Sequence, residues 1–184
     1  MLKIQILGDS MVKRLTTYVH RVKNSKLVII NSIGISGAKI QDLKQYLKQD
    51  PPQWDNNIPL LIFIDTNAIF KGTPCHVMQQ QIKSLIKLIR RSYPDINMLL
   101  TQLPLFPKTY NNSIQQHCIH QYNQFLHTLQ NHNTQFLQIQ NFLDSAQYFH
   151  KKYKHNSKPD LVHFNNAGNK QLVLCLVNYL QCPV

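Results

Sequence analysis

The chain has 184 residues, 43% of them hydrophobic, which is enough for one globular domain with a sizeable core. Twenty Lys and Arg residues face eight acidic residues, all of them Asp, and the formal net charge is +12. This charge indicates either an anionic partner, nucleic acid or an anionic membrane surface, or a composition bias without a function. No apolar run approaches the roughly 20 residues of a membrane span, which argues against an integral membrane protein.

The apolar pattern predicts strands that alternate with helices. Residues 2–7 alternate between apolar and polar, and 59–64 is the continuous apolar run typical of a parallel strand buried on both faces. The predicted strands are 2–7, 26–31, 59–64, 97–101 and 135–139, and the predicted helices are about 11–19, 40–47, 76–92, 114–129 and 166–180. This order predicts an α/β fold, a three-layer α/β/α sandwich with about five parallel strands, in a single domain over 1–184.

The turn between the first strand and the first helix carries Gly8, Asp9 and Ser10. Gly8 ends the strand, since glycine turns sharply at no steric cost. Ser10 is therefore predicted at the carboxyl edge of the sheet, beside a helix N-terminus with free N–H groups, where a nucleophile for acyl transfer is placed. The alternative is that these residues simply cap the helix, because Asp and Ser are common caps.

Residues from three other loops are predicted to meet Ser10 at that edge, where ligands of open α/β sheets bind. Gly37 follows the second strand and Asn67 follows the third, while Asp160 and His163 precede the last helix. In this arrangement Ser10 attacks an ester carbonyl, His163 takes its proton, and Asp160 orients the imidazolium. The backbone N–H groups of Ser10 and Gly37, with the side-chain amide of Asn67, hold the oxyanion.

Four blocks in this order and spacing resemble the SGNH (GDSL-type) hydrolase family. The blocks are Gly8-Asp9-Ser10, residues 31–37 ending in Ile35-Ser36-Gly37, Thr66-Asn67, and Asp160-Leu161-Val162-His163 with Asn165 and Gly168. The resemblance covers nearly the whole chain and implies a flavodoxin-like sandwich. It also implies an esterase, lipase or acetylesterase that acts on a small ester or lipid substrate without a metal or another cofactor.

The third block departs from the family, because Asp65 stands where a glycine usually precedes Thr-Asn and Ala68 stands where an acid follows. A carboxylate beside the oxyanion hole opposes the charge that develops there, unless it turns away or is paired. The alternative function is therefore a catalytically degenerate module of the same fold that binds nucleic acid or an anionic membrane. Within the family, a compact intracellular form with Arg or Lys soon after the serine block resembles esterase domains encoded by retroelements and some viruses.

The chain has four cysteines, Cys75, Cys118, Cys175 and Cys182, and an even number allows two disulfides in an oxidising compartment. They have no CxxC spacing, however, and Met1 leads directly into the first strand without a recognisable secretory signal. We therefore expect free thiols and a cytoplasmic location, for this chain alone or as a domain of a longer protein.

Two further clusters have alternative interpretations. The histidines at 117, 120, 127 and 132 have no carboxylate near in sequence, so we interpret them as solvated rather than as a metal site. The segment 141–160 is predicted to be an irregular basic loop with one short helical turn. Its aromatic and basic residues predict base stacking or membrane contact on one interpretation, and a lid over the active site on the other. They are Tyr148, Phe149, Tyr153, Lys151, Lys152 and Lys154.

Overall fold

The computed structural model describes residues 1–23, 25–139, 146–150 and 160–181. At its centre five parallel strands form one sheet in the order β2-β1-β3-β4-β5. The strands are β1 (Leu2–Gly8), β2 (Leu27–Gly34), β3 (Leu60–Phe63), β4 (Met98–Thr101) and β5 (Thr134–Leu137). Because all pairs are parallel, the carboxyl ends of the strands meet at one edge of the sheet, and the predicted α/β fold is confirmed.

Helices flank this sheet and form two contacting groups, α1 with α6, and α4 with both α2 and α5. The helices are α1 (Ser10–Arg21), α2 (Ile40–Gln49), α3 (Thr66–Phe70), α4 (Cys75–Ser92), α5 (Ser113–Thr128) and α6 (Asn166–Gln181). Short 3₁₀ turns lie at Pro107–Thr109 and Ala146–Tyr148. This arrangement leaves the carboxyl edge of the sheet lined by the loops that follow the strands and by helix N-termini.

The core is built from the inner strands and from one face of each long helix. Every residue of β3 and β4 is buried, as expected for strands covered on both sides. In α4 the buried residues recur at helical spacing; they are Met78, Ile82, Leu85 and Ile89. The burial of each such side chain contributes about 1.5–3 kcal/mol to the stability of the fold. The packed core therefore supports the loops at the edge of the sheet.

Apart from shifts of one or two residues at the ends of elements, the structure differs from the sequence prediction at the end of β2 and in one additional helix. We predicted that the second strand would end at 31, but β2 continues to Gly34 because its pairing with β1 resumes after a register shift and reaches Gly8. The short helix α3 was not predicted at all, since five residues are too few for a periodic apolar pattern. Both differences lie at the carboxyl edge, where they determine the course of the site loops.

The predicted helical turn in 141–160 is present at Ala146–Tyr148, but Phe149 lies in the core. It is 2% exposed and packs against Phe106 and Phe164, so its prediction as a surface or lid residue was wrong. Tyr148 of the same cluster is half-buried, whereas its remaining members, Tyr153 and the lysines at 151, 152 and 154, lie outside the described residues, as does Cys182.

Within the described ranges, no helix is long and apolar enough to cross a membrane. The histidines at 117, 120, 127 and 132 are all exposed. Among the described side chains, no group of three His, Cys, Asp or Glu residues is arranged to hold a metal ion.

Candidate active site

The turn after β1 positions Ser10 through two local constraints. A side chain at Gly8 would place its Cβ only 1.9 Å from the backbone oxygen of Phe63, so the neighbouring strand requires glycine there. Asp9 is the N-cap of α1, and its carboxylate accepts a 2.9 Å hydrogen bond from the N–H of Met11. Because Asp9 supplies the cap, the hydroxyl of Ser10, the first residue of the helix, is left for another partner.

That partner is His163, which lies 153 residues further along the chain. The Oγ atom of Ser10 is 2.8 Å from Nε2 of His163. The other ring nitrogen of His163, Nδ1, lies 2.8 Å from Oδ1 and 3.1 Å from Oδ2 of Asp160. The structure therefore brings the three predicted residues into one hydrogen-bonded chain, in which Asp160 and His163 are buried and Ser10 is half-buried.

The carboxylate of Asp160 is held in its charged form. Burial opposes its ionisation, but the hydrogen bonds and charge of His163 outweigh that cost, and the pKa of Asp160 lies below its usual value. Arg14 adds to this effect, with one guanidinium nitrogen 3.4 Å from Oδ2 of Asp160. A charged, buried acceptor on Nδ1 leaves Nε2 facing the serine hydroxyl.

The segment 160–163 is anchored by the residues on either side of it. The carbonyl of His163 accepts a 2.9 Å hydrogen bond from the N–H of His150, and the amide of Asn165 donates to the carbonyls of Gln147 and Phe149. Gly168 lets the backbone of Tyr148 approach, since a Cβ there would lie 2.3 Å from its oxygen. These contacts hold His163 in place just before α6, which begins at Asn166.

The three predicted oxyanion donors lie in loops that contact one another. Gly37 is exposed and has φ +78°, which favours glycine, and a Cβ there would meet nothing within 4 Å. The next residue, Ala38, accepts a 3.1 Å hydrogen bond from Nδ2 of Asn67. The same Nδ2 lies 3.5 Å from Oδ2 of Asp9, beside Ser10. Asn67 thus connects the loops that carry Gly37 and Ser10.

Asp65, which directly precedes Thr66 and Asn67, is buried and paired with a tyrosine. Its side chain is fully buried, and its Oδ2 accepts a hydrogen bond from the hydroxyl of Tyr122 on α5. Burial raises the pKa of Asp65 to about 7, and the hydrogen bond from Tyr122 only partly offsets this effect. Burial likewise raises the pKa of Asp9 to about 6. Of the two cases left open by the sequence, the structure shows the second, a carboxyl group that is paired.

Sequence reasoning missed two residues of this region. Arg14 lies four residues after Ser10, one helical turn along α1, and that spacing was a signal that it faces the same edge as the serine. Tyr122 gave no such signal, because a tyrosine on the buried face of a helix is indistinguishable from a core residue until its partner is known.

A parallel sheet in the order 2-1-3-4-5, with a serine–histidine hydrogen bond at its carboxyl edge, is the arrangement of an SGNH-like α/β protein. Residues 6–171 match the model of the GDSL-like lipase/acylhydrolase family. The chain therefore belongs to the GDSL-like lipase/acylhydrolase family, whose members are generally carboxylic ester hydrolases.

Solved structures show the same fold at low sequence identity. The OSK domain of Drosophila Oskar matches with a TM-score of 0.77 and 17% identity, over 97% of this chain and 88% of that one. A lipolytic G-D-S-L family protein from Veillonella parvula matches with a TM-score of 0.67 and 13% identity, over 97% of both chains. A carbohydrate esterase of family 3 from Talaromyces cellulolyticus matches with 0.62 and 12%, over 98% of this chain and 99% of that one.

Comparison with curated protein sequences gave no match. The expected resemblance to esterase domains of retroelements and viruses finds no support in these comparisons.

Proposed function

We propose that this protein is a serine esterase that hydrolyses carboxylic esters, with Ser10 as nucleophile, His163 as general base and Asp160 as the acid that orients it. The observation that carries the proposal is the hydrogen-bonded chain from Ser10 Oγ through His163 to Asp160, with 2.8 Å at each step. Membership of an acylhydrolase family supports the same reaction.

The reaction proceeds in two halves. Nε2 of His163 takes the hydroxyl proton while Oγ of Ser10 bonds to the ester carbonyl carbon, and the tetrahedral intermediate collapses when the imidazolium protonates the departing alkoxide. Water then attacks the acyl-enzyme by the same route and releases the carboxylic acid. Asp160 stabilises the imidazolium in both halves because its pKa is lowered and it therefore stays charged.

In the same proposal, the oxyanion is held by the backbone N–H groups of Ser10 and Gly37 and by the side-chain amide of Asn67. Ser10 is the first residue of α1, so its N–H has no acceptor within the helix. The amide of Asn67 lies between the loops of the other two donors through its contacts with Ala38 and Asp9. Donors fixed in this way stabilise the developing negative charge without reorganising.

Acetyl esters and lipid acyl esters are both candidate substrates. A series of p-nitrophenyl esters of increasing chain length, with acetylated sugars and phospholipids alongside, measures the preference directly. A sharp optimum at the acetyl ester favours an acetylesterase, and an optimum at long chains favours a lipase.

A fluorophosphonate probe tests the nucleophile. We expect the probe to label the wild-type protein at Ser10, and Ser10→Ala to lose both labelling and ester hydrolysis. Ser113→Ala is the matched control, since Ser113 also begins a helix directly after a capping residue, Asn112, but is exposed and on α5. Labelling that persists in Ser10→Ala excludes this assignment.

The second candidate function is a binding module for nucleic acid or anionic membranes. The favouring observation is that three of the eight aspartates, Asp9, Asp65 and Asp160, are buried, so they contribute little negative charge to the surface. Binding of this kind weakens steeply with added salt as counterions are released. We expect affinity for RNA, DNA or anionic vesicles to fall between 50 and 200 mM salt if the basic surface has this role, and no binding to any of them at low salt excludes it.

A further inference from the structure

The backbone at Asp65 has an unusual conformation. Its φ is +86°, the left-handed region, and no other described non-glycine residue has a positive φ. Such a conformation costs about 1–2 kcal/mol for a residue with a Cβ, so surrounding contacts must hold it. Thr66 and Asn67 follow directly, and the carbonyl of Asp65 accepts the first hydrogen bond of α3, from the N–H of Ile69 at 3.1 Å. The turn therefore determines the direction in which Asn67 leaves the sheet.

Tyr122 supplies the contact that holds this turn from outside it. Tyr122 is 1% exposed and Asp65 is 0% exposed, and the Tyr122 hydroxyl donates to Oδ2 of Asp65. The other carboxyl oxygen, Oδ1, is buried and has no hydrogen-bond partner among the described residues. The bond from α5 is therefore the polar contact that fixes the orientation of this carboxyl group.

We propose that Asp65 and Tyr122 form a positioning pair, which holds the turn before α3 and thereby places the amide of Asn67 in the oxyanion hole. The role of Asn67 as an oxyanion donor rests on the proposed esterase function. The claim that the pair fixes the position of the Asn67 side chain does not depend on that function. The family usually has a glycine at this place, which adopts the turn without steric cost. In this chain the side-chain contact between Asp65 and Tyr122 holds the turn instead. On this account Asp65 helps the reaction rather than opposing it.

The surroundings of Asp65 support this role. The nearest charged or titratable groups are Asp9 beside Ser10, Tyr122 and Cys118 on α5, and Cys75 at the start of α4. None of them is a base or a cation that would draw the carboxyl toward the oxyanion site. Burial raises the pKa of Asp65 to about 7, so the carboxyl of Asp65 is uncharged in a large fraction of molecules near neutral pH. The developing oxyanion therefore meets less repulsion from it.

Three substitutions separate positioning from charge. Asp65→Asn removes the charge but keeps an oxygen for the Tyr122 hydroxyl, and asparagine tolerates the left-handed region. Asp65→Gly permits the left-handed backbone conformation without steric cost but removes the anchor that holds it. Tyr122→Phe removes the donor alone. Tyr46→Phe is the matched control, because Tyr46 also donates to a carboxylate, Asp50 at 3.1 Å, on the exposed part of α2.

We expect kcat on a short-chain ester to fall about tenfold to a hundredfold in Asp65→Gly and Tyr122→Phe, with KM within twofold, because a misplaced donor affects the transition state most. Asp65→Asn is expected to stay within about threefold of wild type, and Tyr46→Phe to be unchanged. Wild-type kcat in both Asp65→Gly and Tyr122→Phe overturns the inference, while hydrolysis by the wild type keeps the proposed function intact.

A second measurement decides the inference without any activity. In ¹H–¹⁵N spectra, the side-chain amide signals of Asn67 are expected to shift or broaden in Tyr122→Phe and to keep their positions in Asp65→Asn and Tyr46→Phe. Unchanged Asn67 signals in Tyr122→Phe overturn the positioning role even if no ester is hydrolysed. Failure of the proposed function gives a different result, an unlabelled Ser10 in the wild-type protein.

Discussion

The side-chain amide of Asn67 has two N–H groups that can serve different acceptors. One hydrogen bond goes to the carbonyl of Ala38 at 3.1 Å, whereas the contact with Asp9 is 3.5 Å long and correspondingly weak. The pKa of Asp9 is raised to about 6, so its carboxyl group is partly uncharged near neutral pH. A developing oxyanion is therefore a stronger hydrogen-bond acceptor than the distant carboxyl oxygen of Asp9. In the proposed mechanism, the bond to Ala38 therefore orients the amide of Asn67 while its second N–H donates to the oxyanion.

Asn67→Ala is expected to lower kcat roughly a hundredfold or more, because losing one oxyanion donor typically costs about 3–4 kcal/mol of barrier. The measurement is kcat on a p-nitrophenyl ester, with the melting temperature as a check on folding. Asn57→Ala is the control, since Asn57 is exposed and bonds only locally to Asp55 among its described contacts. A wild-type rate in a folded Asn67→Ala variant means that Asn67 serves only to connect the loops.

Arg14 contacts the carboxylate of Asp160. Its side chain is 37% exposed and lies 3.4 Å from the carboxylate, so solvent screens the interaction and its contribution is about 0.2–1 kcal/mol. We expect Arg14→Met to lower kcat by up to about fivefold at low salt, because Asp160 is then less strongly held in its charged form.

The salt dependence distinguishes this electrostatic effect from a change in packing. At 0.5 M salt the difference between Arg14→Met and wild type is expected to shrink, since exposed charge interactions are screened within a few ångströms. Arg21→Met, at the far end of the same helix, serves as the control. A deficit in Arg14→Met that is independent of salt contradicts the electrostatic role.

At the scale of elements, the serine turn depends on the contact between β1 and β3. Gly8→Ala is expected to destabilise the fold by several kcal/mol, because the new Cβ would meet a backbone oxygen at 1.9 Å and a side-chain atom of Val12 at 2.6 Å. Chemical denaturation measures the loss. Gly72→Ala has only the strain of φ +68° and no atom within 4 Å, so a cost of about 1–2 kcal/mol is expected there. Equal costs at the two glycines would contradict the steric account.

The elements that sequence patterns predicted well are those with a strong apolar period. The long helix α4 and the buried strands β3 and β4 lie within one or two residues of their predicted bounds. Burial requires a regular spacing of apolar residues in these elements, and that spacing is visible in the sequence. The helix α3 is too short for a period to be visible. The extension of β2 to Gly34 depends on its pairing with β1, which a local pattern does not contain.

The same distinction holds for the site. Ser10, Asp160 and His163 were predicted to meet because each follows or precedes a recognisable element at one edge of a parallel sheet, and the structure places them in contact. The partner of Asp65 could not be predicted. Tyr122 is separated from it by 57 residues, and their contact depends on how α5 packs over the turn.

Across the whole molecule, the buried carboxyls make stability depend on pH. The pKa values of Asp9 and Asp65 are raised by burial to about 6 and about 7, from 3.8. Between about pH 4 and pH 7 the folded protein therefore holds protons that the unfolded chain releases. The free energy of unfolding consequently falls as pH rises through this window. Asp160 acts in the opposite sense, since its pKa is lowered and its contribution is lost only in more acidic solution.

We expect the free energy of unfolding to decrease from pH 5 to pH 8, and Asp65→Asn to remove much of that decrease. The part due to Asp65 over this range is about 3 kcal/mol, because about two of the roughly three pKa units of its shift lie above pH 5. Urea denaturation of both proteins at several pH values measures the difference. Parallel curves for wild type and Asp65→Asn would mean that Asp65 titrates normally in the folded protein.

The distance along the chain between Ser10 and its histidine partner has a consequence for the order of synthesis. A ribosome completes the five described strands by Leu137, whereas Asp160 and His163 are synthesised later, and α6 later still. A nascent chain can therefore assemble its sheet and the serine turn while the hydroxyl still lacks its base. If the proposed function holds, reactivity toward esters is acquired near the end of translation of this region, when α6 docks against α1 and brings the imidazole to the serine.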